Sequence, residues 1–192
     1  MRIYPLVLAI GSLQFIIIVF IAQALYPGYS VWANYISDLG NSAKAGPFIA
    51  AIFNSSAAAL GLMVLASSYG VGALTRRRAL STALLALAGA GALGVGLFPE
   101  GSPYGLHTLS SLIAFLFGGL AIIALGLLTE GPAWLRWLGV VMGALTLVSL
   151  ALYIALGEPP IVERPVAYPV LVYAVIYGLY EGFGDGRKRP IF

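Results

Sequence analysis

Cysteine is absent from the 192 residues, and histidine occurs once, at His107. The first absence excludes disulfides, thiolate metal sites, iron–sulfur clusters and cysteine nucleophiles. A single histidine excludes three-histidine zinc sites and bis-histidine haem within one chain. No metal and no cofactor is expected. Charge is scarce too: 9% of the residues are Asp, Glu, Lys or Arg, against roughly 25% in soluble domains. With 60% hydrophobic residues, a water-soluble fold would have to expose much of that apolar material, and the soluble classes are excluded.

Long apolar runs are what the chain has instead. Six approach the roughly 20 residues that a bilayer-crossing helix needs. They cover about 6–25, 47–67, 79–97, 107–128, 134–155 and 165–180. The expected fold is therefore all-α, a polytopic membrane bundle of six transmembrane helices forming one domain over 1–192. The first run ends near Ala22-Gln23-Ala24, which resembles a signal-peptide cleavage site. Its apolar stretch exceeds the roughly 7–15 residues of a signal h-region, so a retained helix is expected. In the sixth run, Pro165 and Pro169 are expected in the opening turns, where a missing N–H costs least.

Eight of the ten basic residues fall on one side of this layout: Arg2, Arg76, Arg77, Arg78, Arg136, Arg187, Lys188 and Arg189. Only Lys44 and Arg164 fall on the other. By the positive-inside rule both termini are expected to be cytoplasmic. Tyr4, Tyr69, Trp134 and Trp137 then mark the inner boundary, and Tyr26, Trp32, Phe98 and Tyr104 the outer one. The net charge of +3 thus reads as topology signal and contact with anionic membrane lipids rather than with nucleic acid.

The outer side is the richer one. In the first outer loop Val31, Trp32, Tyr35, Ile36 and Leu39 recur at helical spacing, and Gly40 follows as a C-cap. This predicts a short interfacial helix at the membrane surface. Asp38 would lie in its last turn, where the helix dipole disfavours an anion, so it needs a partner or solvent. The second outer loop, Phe98 to Leu106, is stiffened by proline and glycine and delivers His107 to the mouth of the fourth span. The third, Gly157 to Pro165, carries Glu163 and Arg164, which cannot pair well with each other.

Inside the spans, Gln14, Asn54, Ser111, Thr146, Ser149 and the tyrosines Tyr173, Tyr177 and Tyr180 are expected to face the bundle interior, because lipid offers them no partner. Gly89, Gly91, Gly94 and Gly96 should let neighbouring backbones approach the third span closely. Interhelical hydrogen bonding accounts for Asn54 and the hydroxyls as well as any site does.

Pro27-Gly28-Tyr29-Ser30, Ile36-Ser37-Asp38-Leu39-Gly40, Asn54, Phe98-Pro99 and His107, in that order and spacing, resemble the DUF998 family of six-span membrane proteins. The layout is also similar to the wider Frag1/DRAM/Sfk1-like group. The resemblance spans nearly the whole chain. It marks Asp38, Asn54 and His107 as family-pattern positions and implies no particular activity.

Three functions fit these features. The first is an outward-facing polar pocket for a lipid headgroup or a small amphipathic ligand. Asp38 and His107 are its catalytic candidates, and Asn54, Glu163, Arg164 and Tyr173 its ligand-binding candidates. An Asp–His pair is the skeleton of general base catalysis, so the two are expected to meet; no clear nucleophile accompanies them. Arg164 is expected to pair with Asp38, Glu100 or Glu158, or with an anionic headgroup, while Glu163 points away from it. The second function is an accessory or structural subunit with a membrane-protein partner, or a homo-oligomer. The third is a small transporter, disfavoured because the spans so drawn hold no charged residue beyond His107 at a mouth and Arg136 at the inner boundary.

Overall fold

The computed structural model describes residues 1–184, so Asp185, Arg187, Lys188 and Arg189 lie outside the described residues. It is all-helical, with six helices long and apolar enough to cross a membrane. They are α1 (Ile3–Leu25), α3 (Pro47–Gly72), α4 (Arg78–Leu97), α5 (Leu106–Leu128), α6 (Ala133–Ala155) and α7 (Pro160–Phe183). A single-turn helix, α2 (Ser42–Ala45), follows a 3-10 turn over Ser37–Gly40.

The six long helices pack in a ring in chain order, and α7 closes it against α1. α5 also touches α7 directly, which pushes α6 to the periphery. The start of α1 and the end of α7 meet: the Arg2 N–H donates to the Gly182 carbonyl at 2.9 Å. The Arg2 guanidinium reaches the buried Glu181 carboxylate at 3.1 Å. Both described ends of the chain therefore lie at one end of the bundle, the terminal end.

Polar side chains do face inward. Ser56 Oγ donates to Gln14 Oε1 at 2.7 Å, and Gln14 Nε2 donates to the Ser56 carbonyl at 3.0 Å, stitching α1 to α3. Thr146, Ser149, Tyr173 and Tyr177 are buried, whereas Tyr180 is exposed and meets Trp134 edge to face. Glycine sets the closest approaches. A Cβ on Gly89 would stand 2.9 Å from the Leu65 amide, and one on Gly91 would overlap the Ala114 backbone. Outward, Trp137, Val141, Val148 and Leu152 of α6 are exposed, the apolar surface that lipid solvates.

Two sequence expectations shift. α7 begins at Pro160 rather than Pro165, because proline at the first helical position costs nothing and presets φ. Glu163 and Arg164 therefore sit in the opening turns of a helix instead of a loop. Pro165 and Pro169 lie inside that helix, and each removes one i→i−4 hydrogen bond. In the first outer loop, the helical turns occupy 37–40 and 42–45 rather than Val31–Leu39. Side chains capture the backbone there: Asn34 Oδ1 accepts from the Ser30 N–H at 3.0 Å, and Asp38 Oδ2 from the Tyr35 N–H at 3.1 Å. Such local bonds compete with helix. Asp38 thus lies in the first turn of the 3-10 segment, where the backbone dipoles favour its charge.

Candidate functional site

Residues 26–46 form a lid over the end of the bundle opposite the termini. Most of the polar residues singled out from the sequence hold this lid down. Arg164 donates to the Tyr29 hydroxyl at 2.8 Å, to the Asn34 carbonyl at 3.1 Å and to the Pro160 carbonyl at 2.9 Å. Burial pushes the Tyr29 phenol up to about 12, opposed by Arg164, so it stays a neutral acceptor. Two turns into α3, Asn54 Nδ2 donates to the Gly40 carbonyl at 2.9 Å. A Cβ on Gly40 would meet Asn54 Oδ1 at 2.5 Å, so only glycine lets the lid sit this low. Tyr35 donates its hydroxyl proton to the Glu158 carbonyl at 2.9 Å.

A charged latch completes the lid. Lys44 Nζ lies 2.5 Å from Asp38 Oδ1 and 2.9 Å from Glu100 Oε1, joining the first interhelical loop to the Phe98–Leu106 loop. Partial burial works against the Lys44 charge, but its two carboxylate partners outweigh this and hold its pKa up to about 12. Burial also opposes the Asp38 charge; hydrogen bonds from Lys44, Asn34 and the Tyr35 amide overcome it and lower the pKa. Glu100 goes the other way, raised by burial and by the neighbouring Asp38 against the pull of Lys44.

Beneath the lid lies a cavity of about 120 Å³. Its walls come from α1, α3, α4, α5 and α7, with none from α6. Along α5 the wall runs from His107 to Leu125, about 27 Å at 1.5 Å per residue. The lining is apolar except for Ser12, Ser37, His107, Ser111 and Glu163. Four of those five gather at the lidded end.

The protonation pattern at that end is readable from geometry. His107 Nδ1 is 2.8 Å from the Phe98 carbonyl oxygen. A carbonyl only accepts, so Nδ1 carries the proton and Nε2 is left as an acceptor. Ser111 Oγ, one turn along, is 3.4 Å from Nε2. Glu163 is 7% exposed and accepts from the backbone N–H groups of Ile36 and Ser37. Among the described residues no basic group lies within ion-pair distance of it.

Of the six candidates, His107 and Glu163 line the cavity. Asp38, Asn54 and Arg164 fasten the lid instead. Tyr173 does neither: it is buried between α7 and α6, its hydroxyl 2.7 Å from where a Gly139 Cβ would stand. Asp38 and His107 form no hydrogen bond with each other, contrary to expectation. Lys44 takes the carboxylate and Phe98 takes the imidazole N–H, so the general-base skeleton is missing its acid-orienting member. Arg164 likewise binds three neutral oxygens rather than a carboxylate. Glu163 accepts from the Ile36 and Ser37 amides and forms no ion pair with Arg164.

Sequence reasoning gives Lys44 no part in a site and names Glu100 only as a partner for Arg164. Four acids against two bases on that side was the available signal: each base there had carboxylates competing for it.

A family model described as a protein of unknown function (DUF998) matches residues 9–180, and the chain belongs to that family. No curated protein and no solved structure matches it.

Proposed function

We propose that this chain binds a lipid-like, largely hydrocarbon ligand in the cavity beneath the lid, with the lid on the outer side of the membrane and both termini in the cytoplasm. The observation that carries the reading is the cavity itself. Apart from Ser12 it is apolar along its length, and its other polar residues, His107, Ser37, Ser111 and Glu163, gather at the lidded end. An empty void costs its lining the dispersion contacts a chain would supply. The lid, held from α3, α7 and the Phe98–Leu106 loop, separates this space from the aqueous phase. No reaction is proposed, since Ser111 and His107 lack a carboxylate on Nδ1 to complete a triad. Kinship with the wider Frag1/DRAM/Sfk1-like group rests on the six-span layout alone.

Filling the void tests the reading. Ala92→Leu and Ala114→Leu each place extra methyl groups in the lining. Purified protein is assayed by native mass spectrometry for a co-purifying lipid and by titration with a fluorescent alkyl reporter. Reporter affinity is expected to fall by about tenfold or more in both variants, with thermal stability kept. Unchanged affinity in folded variants overturns the proposal. A stoichiometric partner protein in place of lipid favours the accessory-subunit reading.

A further inference from the structure

The polar end of the cavity offers acceptors, and its one acidic side chain is Glu163. In the neutral imidazole His107 Nε2 is an acceptor, because Nδ1–H is committed to the Phe98 carbonyl at 2.8 Å, and its protein partner is Ser111 Oγ at the long distance of 3.4 Å. Glu163 presents a carboxylate that is more than nine-tenths buried. Its protein partners are the amides of Ile36 and Ser37, which leave lone pairs over, since a carboxylate has about four acceptor positions. Those amides supply no countercharge. Arg164, the adjacent residue, spends its guanidinium on Tyr29, Asn34 and Pro160. Only Ser37 and Ser111 can both donate and accept.

Resting on the cavity-binding reading, we propose that the ligand's polar end is a hydrogen-bond donor, an ammonium or a hydroxyl on a single hydrocarbon chain, and that an ammonium binds most tightly. A donor head satisfies the Glu163 carboxylate, and His107 Nε2 is a second acceptor in the same cavity lining. An ammonium adds a countercharge in direct contact, where Arg164 acts on the carboxylate only from beyond ion-pair distance, making its hydrogen bonds charge-assisted. An anionic head meets the opposite: a carboxylate or phosphate would put like charge and facing lone pairs against Glu163, with only two serine hydroxyls to donate. The narrow form of the cavity, about 120 Å³ along most of the length of α5, admits one chain rather than two.

Matched competitors test this. The protein in nanodiscs, loaded with a neutral fluorescent alkyl reporter, is titrated at about pH 8.5, where the carboxyl is ionised and an alkylamine still protonated, with dodecylamine, dodecanol, dodecanoate and dodecyl phosphate. The expected order of displacement is amine, then alcohol, then both anions, with amine and anions separated by on the order of tenfold or more. Glu163→Gln retains an acceptor for the Ile36 amide but removes the charge. It is expected to lose the amine's advantage over the alcohol, with its thermal melt showing that the variant is folded. Equal displacement by all four, tighter binding of either anion, or an amine preference that survives Glu163→Gln overturns the head-group assignment and leaves the cavity reading standing. No displacement by any of them, with no reporter binding at all, removes both.

Discussion

The guanidinium of Arg164 in α7 donates to the phenolic oxygen of Tyr29 at 2.8 Å, across 135 residues of chain. It is the longest-range hydrogen bond holding the lid, and neither partner touches the cavity. The same guanidinium reaches the Asn34 carbonyl, so one side chain fixes two points of the lid to the helix that also supplies Glu163. The family-pattern residues around Tyr29, Asp38, Gly40 and Asn54 are read best as the parts that close the cavity.

Removing Arg164 should therefore loosen the lid. Arg164→Gln leaves the Tyr29 hydroxyl and the Asn34 carbonyl short of a donor in a buried place. The expected loss is about 2–3 kcal/mol, the range for buried hydrogen bonds to charged groups. Arg164→Lys should recover only part, because a point charge cannot span both acceptors. Arg77→Gln, at an exposed arginine, should change stability by no more than about 0.5 kcal/mol. Thermal unfolding in detergent compares the three; equal, small effects would show Arg164 to be dispensable to the lid.

The Asp38–Lys44–Glu100 latch should make stability depend on pH. Glu100 is raised above 4.5 in the folded protein, so the folded state binds the extra proton and stability falls as pH rises through that raised value. Asp38, lowered below 3.8, contributes above 3.8 and loses its contribution only as pH falls through its folded value. Lys44, held up to about 12, contributes fully below 10.5 and is constant over this range. Melting temperature should therefore rise as pH is brought down from neutral toward 4.5. Glu100→Gln offers Asp38 an N–H that does not titrate, and the slope should become shallower. An unchanged slope in the variant would place its origin elsewhere.

The six spans were legible because length and apolar content are enough to specify a membrane helix, and glycine spacing announced the close contacts of α4. The lid was not, because its turns are decided by competition between a weak apolar period at Val31–Leu39 and side-chain capture of the backbone by Asn34 and Asp38. In the sequence Glu163 reads as loop because Pro165 looks like the helix start, although Pro160 serves equally well. His107 was found because it is single. Its partner was misjudged: a backbone carbonyl such as that of Phe98 leaves no mark in a sequence, whereas a carboxylate such as Asp38 invites attention. Lys44 looked like an unremarkable surface charge for the same reason, since Glu100 lies 56 residues away.

Orientation is testable because the chain has no cysteine of its own, so any introduced thiol is the only one present. The arrangement of both described ends at one end of the bundle leaves two orientations, and the basic residues at Arg2, Arg76, Arg77, Arg78 and Arg136 favour the terminal end inside. Tyr104 is 96% exposed in the loop beside the lid, and Ala73 is exposed in the α3–α4 loop at the terminal end. Tyr104→Cys should react with a membrane-impermeant maleimide in intact cells, and Ala73→Cys only after permeabilisation. Both sites are open to solvent in the folded protein, so a failure to label cannot be put down to burial, as it could at Ser68, which is buried. The reverse pattern would turn the lid and the polar end of the cavity to the cytoplasm, and any donor-headed ligand would then have to enter from that side.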